Sequence, residues 1–145
     1  VHQPNVILLV EDDANDAFFF DRALAGIGYA GRLQHVTDIE EAKAVLLKAR
    51  SASEGGAQPI PELIVADSAV SPRGSGVEFL EWQRAEGFNL PFFILTGAID
   101  PDLRERAEAA GVRKVLTKTS NLKAMADQLR EIVLALPAER RAWLK

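Results

Sequence analysis

At 145 residues the chain is sized for one domain, and its 48% hydrophobic and 26% charged content is an ordinary globular composition that argues against disorder. A net charge of −4 disfavours nucleic acid as a partner, and the lack of cysteine excludes disulfides and thiolate metal sites. No apolar run approaches the ~20 residues of a membrane-spanning helix and no signal-peptide pattern opens the chain, so a cytoplasmic protein with no membrane partner is expected.

Short apolar runs then alternate with segments of helical period, the pattern of a parallel sheet covered by helices. Val6–Val10 predicts the first strand. Asp13 caps a helix running to about Ile27, with Asp16 in its first turn, where negative charge suits the dipole. Ala17, Phe20, Leu24 and Ile27 share the inner face of that helix, Phe18 projects to the opposite side, and Gly26, Gly28 and Gly31 end it. The partly polar run Arg32–Val36 reads as an edge strand. Asp38 with Glu41 resembles a capping box for a second helix whose core stripe is Ala42, Val45, Leu46 and Ala49. Residues 50–62, rich in small residues and proline, read as a surface loop.

Leu63–Ala66 predicts the third strand, running into Asp67. A short helix from Gly76 to Glu86 places Phe79, Leu80 and Gln83 on one side. Pro91–Leu95 is the fourth strand, and Asp100-Pro101 opens a helix with Leu103, Ala107 and Ala110 inward and Gly111 closing it. The fifth strand covers roughly Arg113–Thr117. Leu122, Met125, Ala126, Leu129, Ile132, Val133 and Leu136 form the stripe of a last helix, ended by Pro137 before a polar tail. Five such units leave no space for a second domain: the expectation is one domain over 1–145, with its core at about 5–136 and a tail over 137–145.

Glu11-Asp12, Asp67 and Thr96 are the first polar positions past the buried runs, and Lys118 lies just past Val115-Leu116. Each alone is an ordinary strand-end or turn residue. Together, in order, they bring three carboxylates, a hydroxyl and an ammonium to one crevice at the carboxyl edge of a parallel sheet. Glu11, Asp12 and Asp67 suit a hard divalent cation such as Mg2+, and without it their mutual repulsion should raise at least one pKa. Asp67 is then the nucleophile toward a phosphoryl donor. Lys118 reaches both Asp67 and a phosphate oxygen, Thr96 donates to that oxygen, and Gly97 leaves room for it. The two histidines, His2 and His35, fall on the terminus and the edge strand, outside this set.

The blocks Ile7-Leu8-Leu9-Val10-Glu11-Asp12-Asp13, Leu63-Ile64-Val65-Ala66-Asp67, Ile94-Leu95-Thr96-Gly97 and Val115-Leu116-Thr117-Lys118 resemble the receiver domain of two-component response regulators, over essentially the whole chain. The resemblance implies a three-layer α/β/α fold with a five-stranded parallel sheet in order 2-1-3-4-5, a signalling module rather than an enzyme. It implies phosphoryl transfer from a sensor histidine kinase or a histidine phosphotransfer protein to Asp67 with Mg2+. Glu11 and Asp12 become the acidic metal pair, the backbone carbonyl of Ala69 a further ligand, Thr96 the switch hydroxyl and Lys118 the phosphate-contacting lysine. Thr117-Lys118-Thr119-Ser120-Asn121-Leu122 looks like the single-domain regulators that serve phytochrome-type kinases.

Three departures stand out, the first being that Lys118 is followed by Thr119 rather than the family's common proline, so a trans peptide is expected there. Pro72 and Gly76 each come one residue later than the family pattern, an insertion that would displace Ala69, and Val115 stands where most receivers carry an aromatic switch residue. With no output domain expected, signalling would run through protein contacts: Phe18, with Phe19, docking a phosphotransfer helix, and a homodimer through the fourth helix, fifth strand and fifth helix. Three alternatives remain at this stage. A receiver fold that is never phosphorylated and binds proteins by shape is the first. An aspartate-nucleophile phosphohydrolase is the second, although Ala69 occupies the place of its second acid. A flavin protein is the last, and acids rather than a phosphate cradle follow the first strand.

Overall fold

The computed structural model describes residues 6–53, 60–69, 75–134 and 136. His2, Pro72 and the tail over 137–145 lie outside the described residues. In chain order the elements are β1 (Val6–Val10), α1 (Ala14–Gly26), β2 (Arg32–Val36), α2 (Ile39–Ser53), β3 (Leu63–Asp67), α3 (Gly76–Ala85), β4 (Phe92–Thr96), α4 (Pro101–Ala109), β5 (Lys114–Thr117) and α5 (Leu122–Val133). The strands form one parallel sheet in order β2-β1-β3-β4-β5, as the resemblance implies.

Side chains alternate across a strand, and here both faces are buried. Ile7 and Leu9 of β1 enter a core shared with α1 and α5, where Phe20, Leu24, Leu129 and Ile132 meet Val65, Phe93 and Leu95. Leu8 and Val10 enter a second core against α2, α3 and α4, with Leu46, Phe79, Leu80 and Ala107 around Ile64, Phe92 and Ile94. The result is three layers. The continuous apolar runs of β1, β3 and β4 are the sequence consequence of burial on both faces.

Register decides the site. Val10 pairs with both Val36 and Ala66, Asp67 with Leu95, and Thr96 with Thr117, so the carboxyl ends of the inner strands come level along one edge. Each helix begins on a side-chain cap: Asp13 accepts from the amides of Asn15 and Asp16, Ser75 from Glu78, Asp100 from Leu103, and Asn121 from Ala124. Asp38 accepts from the Glu41 amide at 2.7 Å, while Glu41 reaches back to Thr37 instead of closing a box on Asp38.

The segment before β3 differs from its expectation. Residues 50–53 continue α2 rather than opening the expected loop, and residues 54–59 lie outside the described residues. At its far end Pro61 and Glu62 are buried, not loop-like. The Glu62 amide donates to the Val6 carbonyl at 2.8 Å, and the Tyr29 hydroxyl donates to Glu62 Oε1 at 2.6 Å. A partner from the end of α1 makes burial of this acid tolerable, which composition alone cannot reveal. Strand β4 is shifted by one residue and takes in Thr96. On α5, Leu122 is 40% exposed rather than part of the inner stripe, and the helix ends at Val133 with Leu134 as its cap. Among the described residues no helix is long and apolar enough to cross a membrane.

Candidate functional site

Glu11 follows β1 directly, and its amide donates to the Val36 carbonyl at 3.0 Å, which continues the sheet one residue past the strand. That hydrogen bond sinks the side chain to 1% exposure. Its Oε2 accepts from the Asp13 amide at 3.1 Å. Its Oε1 is buried and lies 3.1 Å from the Lys118 ammonium, an ion pair. Asp12, the next residue, is exposed. Carboxylate oxygens of Glu11, Asp12 and Asp67 lie within 4.8 Å of one another.

Asp67 ends β3 and is 7% exposed. Its Oδ2 accepts from Lys118 Nζ at 3.1 Å, and its Oδ1 from the Ala69 amide at 3.4 Å. Lys118 leaves β5 with its amide bonded to the Thr96 carbonyl at 2.8 Å. This lysine is the hub: it reaches Glu11, Asp67 and Asp16, the last at 2.9 Å. Thr96 is nearly buried, donating to the Ala98 carbonyl at 3.0 Å and accepting from the Ser68 hydroxyl at 3.0 Å. A side chain added at Gly97 would meet nothing within 4 Å, so the space expected beside Thr96 is there.

Burial pushes the Glu11 carboxyl up to about 7; the Asp13 amide and Lys118 pull it down, and the charge of Asp67 adds to the rise. For Lys118, burial lowers the pKa, but the carboxylates of Asp16, Glu11 and Asp67 together outweigh it and hold the ammonium above the usual lysine range. The raised carboxyl expected of three crowded acids is therefore Glu11, with desolvation ahead of repulsion as the cause.

Glu11, Asp12, Asp67, Thr96 and Lys118 all meet at this edge, and three residues join them unforeseen. In the sequence Asp16 stands out only for the helix dipole; its place in the first turn of α1, close after the end of β1, is the available signal. Ser68 follows Asp67 directly, and its hydroxyl holds Thr96. His35, on the edge strand β2, falls outside the predicted set, yet its Nε2 lies 2.7 Å from the Glu11 carbonyl and touches the site's backbone. The late Gly76 still seats against β3: a Cβ there would come 2.6 Å from the Asp67 carbonyl oxygen. Its amide donates to the Ser68 carbonyl at 3.4 Å. Val115 is half-buried against the second core, and Phe18 is 64% exposed on α1.

No protein-family model matches the chain. Over 133 residues it is 31% identical to the probable methanogenesis regulatory protein FilR2 of Methanothrix harundinacea, which covers 88% of this chain and 83% of that relative. The Mn(2+)-bound form of response regulator Rcp1 superposes with a TM-score of 0.72 at 27% identity, covering 98% of this chain and 96% of that one. The phosphorylated cyanobacterial phytochrome response regulator RcpA shares the fold, with a TM-score of 0.74 at 24% identity over 98% of this chain and 94% of that one. With a relative matched over most of both lengths and a parallel sheet in the order 2-1-3-4-5, the chain belongs to the receiver domains of two-component response regulators, signalling modules rather than conventional enzymes.

Proposed function

We propose that Asp67 of this receiver is the phosphoacceptor of a two-component phosphorelay, charged by a sensor histidine kinase or a histidine phosphotransfer protein. The observation that carries the reading is the cluster of Glu11, Asp12 and Asp67 oxygens within 4.8 Å, with Lys118 Nζ 3.1 Å from Asp67. In the step itself an Asp67 carboxylate oxygen attacks phosphorus, the P–N bond to the donor imidazole breaks, and the imidazole leaves with its electron pair and takes up a proton. Lys118 holds the acceptor carboxylate from one side and offers its charge to the arriving phosphoryl oxygens. The Thr96 hydroxyl turns from the Ala98 carbonyl to a phosphoryl oxygen.

The donor set suits Mg2+: Glu11 Oε1 is buried without a hydrogen bond, beside two further carboxylates, which is the hard oxygen chemistry that ion takes. Glu11, Asp12, Asp67 and the Ala69 carbonyl would hold it. When bound, the ion offsets negative charge on the transferring group. Labelling with acetyl phosphate and Mg2+, read by intact mass, tests the reading. Wild type should gain one phosphoryl group and Asp67→Asn none; an unlabelled wild type, or a labelled Asp67→Asn, overturns it.

The partner is read from the likeness to phytochrome response regulators: a phytochrome-type kinase docking on the exposed Phe18 of α1. Phe18→Ala should slow transfer from the cognate kinase several-fold and leave acetyl phosphate labelling unchanged. A homodimer through α4, β5 and α5 accompanies this reading: sedimentation in the ultracentrifuge should show a dimer, and a monomer in both the phosphorylated and unphosphorylated forms overturns it. Val115 favours a second reading, a module that acts by shape without phosphorylation, and that reading predicts no mass shift on any residue.

A further inference from the structure

A cleft of about 450 Å³ opens beside the site between α1 and the turn after β5, lined by Asn15, Asp16, Phe19, Lys118, Thr119 and Ser120. Asp16 and Lys118 are the only charged residues of that lining, and they sit 2.9 Å apart. The pair joins α1 to the end of β5, and the Asp16 side chain is 46% exposed against 25% for Lys118, so the carboxylate stands on the solvent side. Lys118 also faces Glu11 and Asp67 at 3.1 Å each, so an anion entering by the cleft meets an ammonium outnumbered by carboxylates, of which Asp16 is the one on the solvent side.

We propose that Asp16 determines donor specificity: as the solvent-side carboxylate beside Lys118 it adds negative charge in the cleft and weakens the binding of small free phosphodonor anions, and it leaves the site to donors that a protein presents. The proposal rests on Asp67 as the phosphoacceptor. Its physical basis is focusing, since a cleft lined by one sign of charge concentrates the opposite ion, and a paired lining loses that pull. A protein donor brings contacts of its own outside the cleft and does not depend on it.

The test compares wild type, Asp16→Asn and Asp16→Glu in Mg2+-dependent labelling by acetyl phosphate. Asp16→Asn should lower the KM for acetyl phosphate about three- to tenfold at low ionic strength, with kcat little changed, and the difference should shrink in high salt. Asp16→Glu keeps the charge and should keep the wild-type KM. A fall in kcat at constant KM would make Asp16 merely a support for Lys118 and overturn the proposal, as would no change in either constant. Inorganic phosphate, titrated while the Thr119 and Ser120 amides are followed by NMR, supplies a readout without phosphoryl transfer. It should bind more tightly to Asp16→Asn by a similar factor, and equal affinity overturns the proposal. Failure of wild type to label at all sinks the phosphoacceptor reading, and the phosphate titration still decides the charge argument.

Discussion

Glu11 is a carboxyl placed where water cannot reach it, and its titration is a measurable consequence. Its folded pKa of about 7 lies above the ordinary 4.5, so the folded state binds the proton more tightly than the unfolded chain. Its contribution to stability is complete below about pH 4.5 and is lost as pH rises through about 7. From the size of the shift the loss is about 3 kcal/mol at most. Urea denaturation with a chelator at pH 5 and pH 8 should show that decline in wild type and a shallower one in Glu11→Gln. The same proton competes with Mg2+, so the apparent metal affinity should fall below pH 7, by up to about tenfold per pH unit. Gly76 is a second residue with a sharp expectation. A methyl group 2.6 Å from the Asp67 carbonyl oxygen must displace backbone at the acceptor itself. Gly76→Ala should cost about 1–3 kcal/mol and slow labelling of Asp67, measured by denaturation and by intact mass.

Elements explain why the site tolerates its own crowding. α1 supplies Asp16, β1 leads to Glu11, β3 ends in Asp67, and β5 delivers Lys118, so one ammonium links the β1–α1 corner to two strand ends far from it in sequence. On the other face α2 and α3 are joined by a device with no role at the site. The Arg50 guanidinium stacks 4.7 Å over Phe88 and donates to Glu86 at its carbonyl and carboxylate, both at 2.9 Å. Trp82 stacks between Phe79 and Phe88 and lies under Lys43. Because the Arg50–Glu86 pair is partly exposed, its charge term is small. Arg50→Ala should destabilise by about 1 kcal/mol, chiefly through the lost ring contact, and leave Asp67 labelling at the wild-type rate. The elements themselves were legible where a local signal exists. Asp13 caps α1 and Asp100-Pro101 opens α4 as expected, whereas the Asn121 cap of α5 was not foreseen, and the extra turn of α2 and the burial of Glu62 rest on packing that composition does not carry.

For the whole molecule, the sheet brings like charges together at one edge and folds in spite of them. An ion bound there stabilises only the folded state, so Mg2+ should raise the melting temperature in proportion to the logarithm of its excess over Kd. Above pH 7, where Glu11 is charged, the rise should be larger than at pH 5.5, and in Asp67→Asn it should be smaller; differential scanning calorimetry with and without chelator measures both.

The order of apolar runs, and the polar residues that end them, already determined the receiver fold and the meeting of Glu11, Asp12, Asp67, Thr96 and Lys118. Burial on both faces of a parallel strand leaves a continuous apolar stretch, and the first polar residue marks where the strand surfaces. Tertiary structure alone decided the rest: Asp16 on Lys118, Ser68 on Thr96, His35 on the Glu11 carbonyl, and Gly76 against Asp67. Those contacts depend on strand register and on the seating of α1 and α3 over the sheet edge. Register is a relation between segments distant in sequence, and local pattern contains no measure of it.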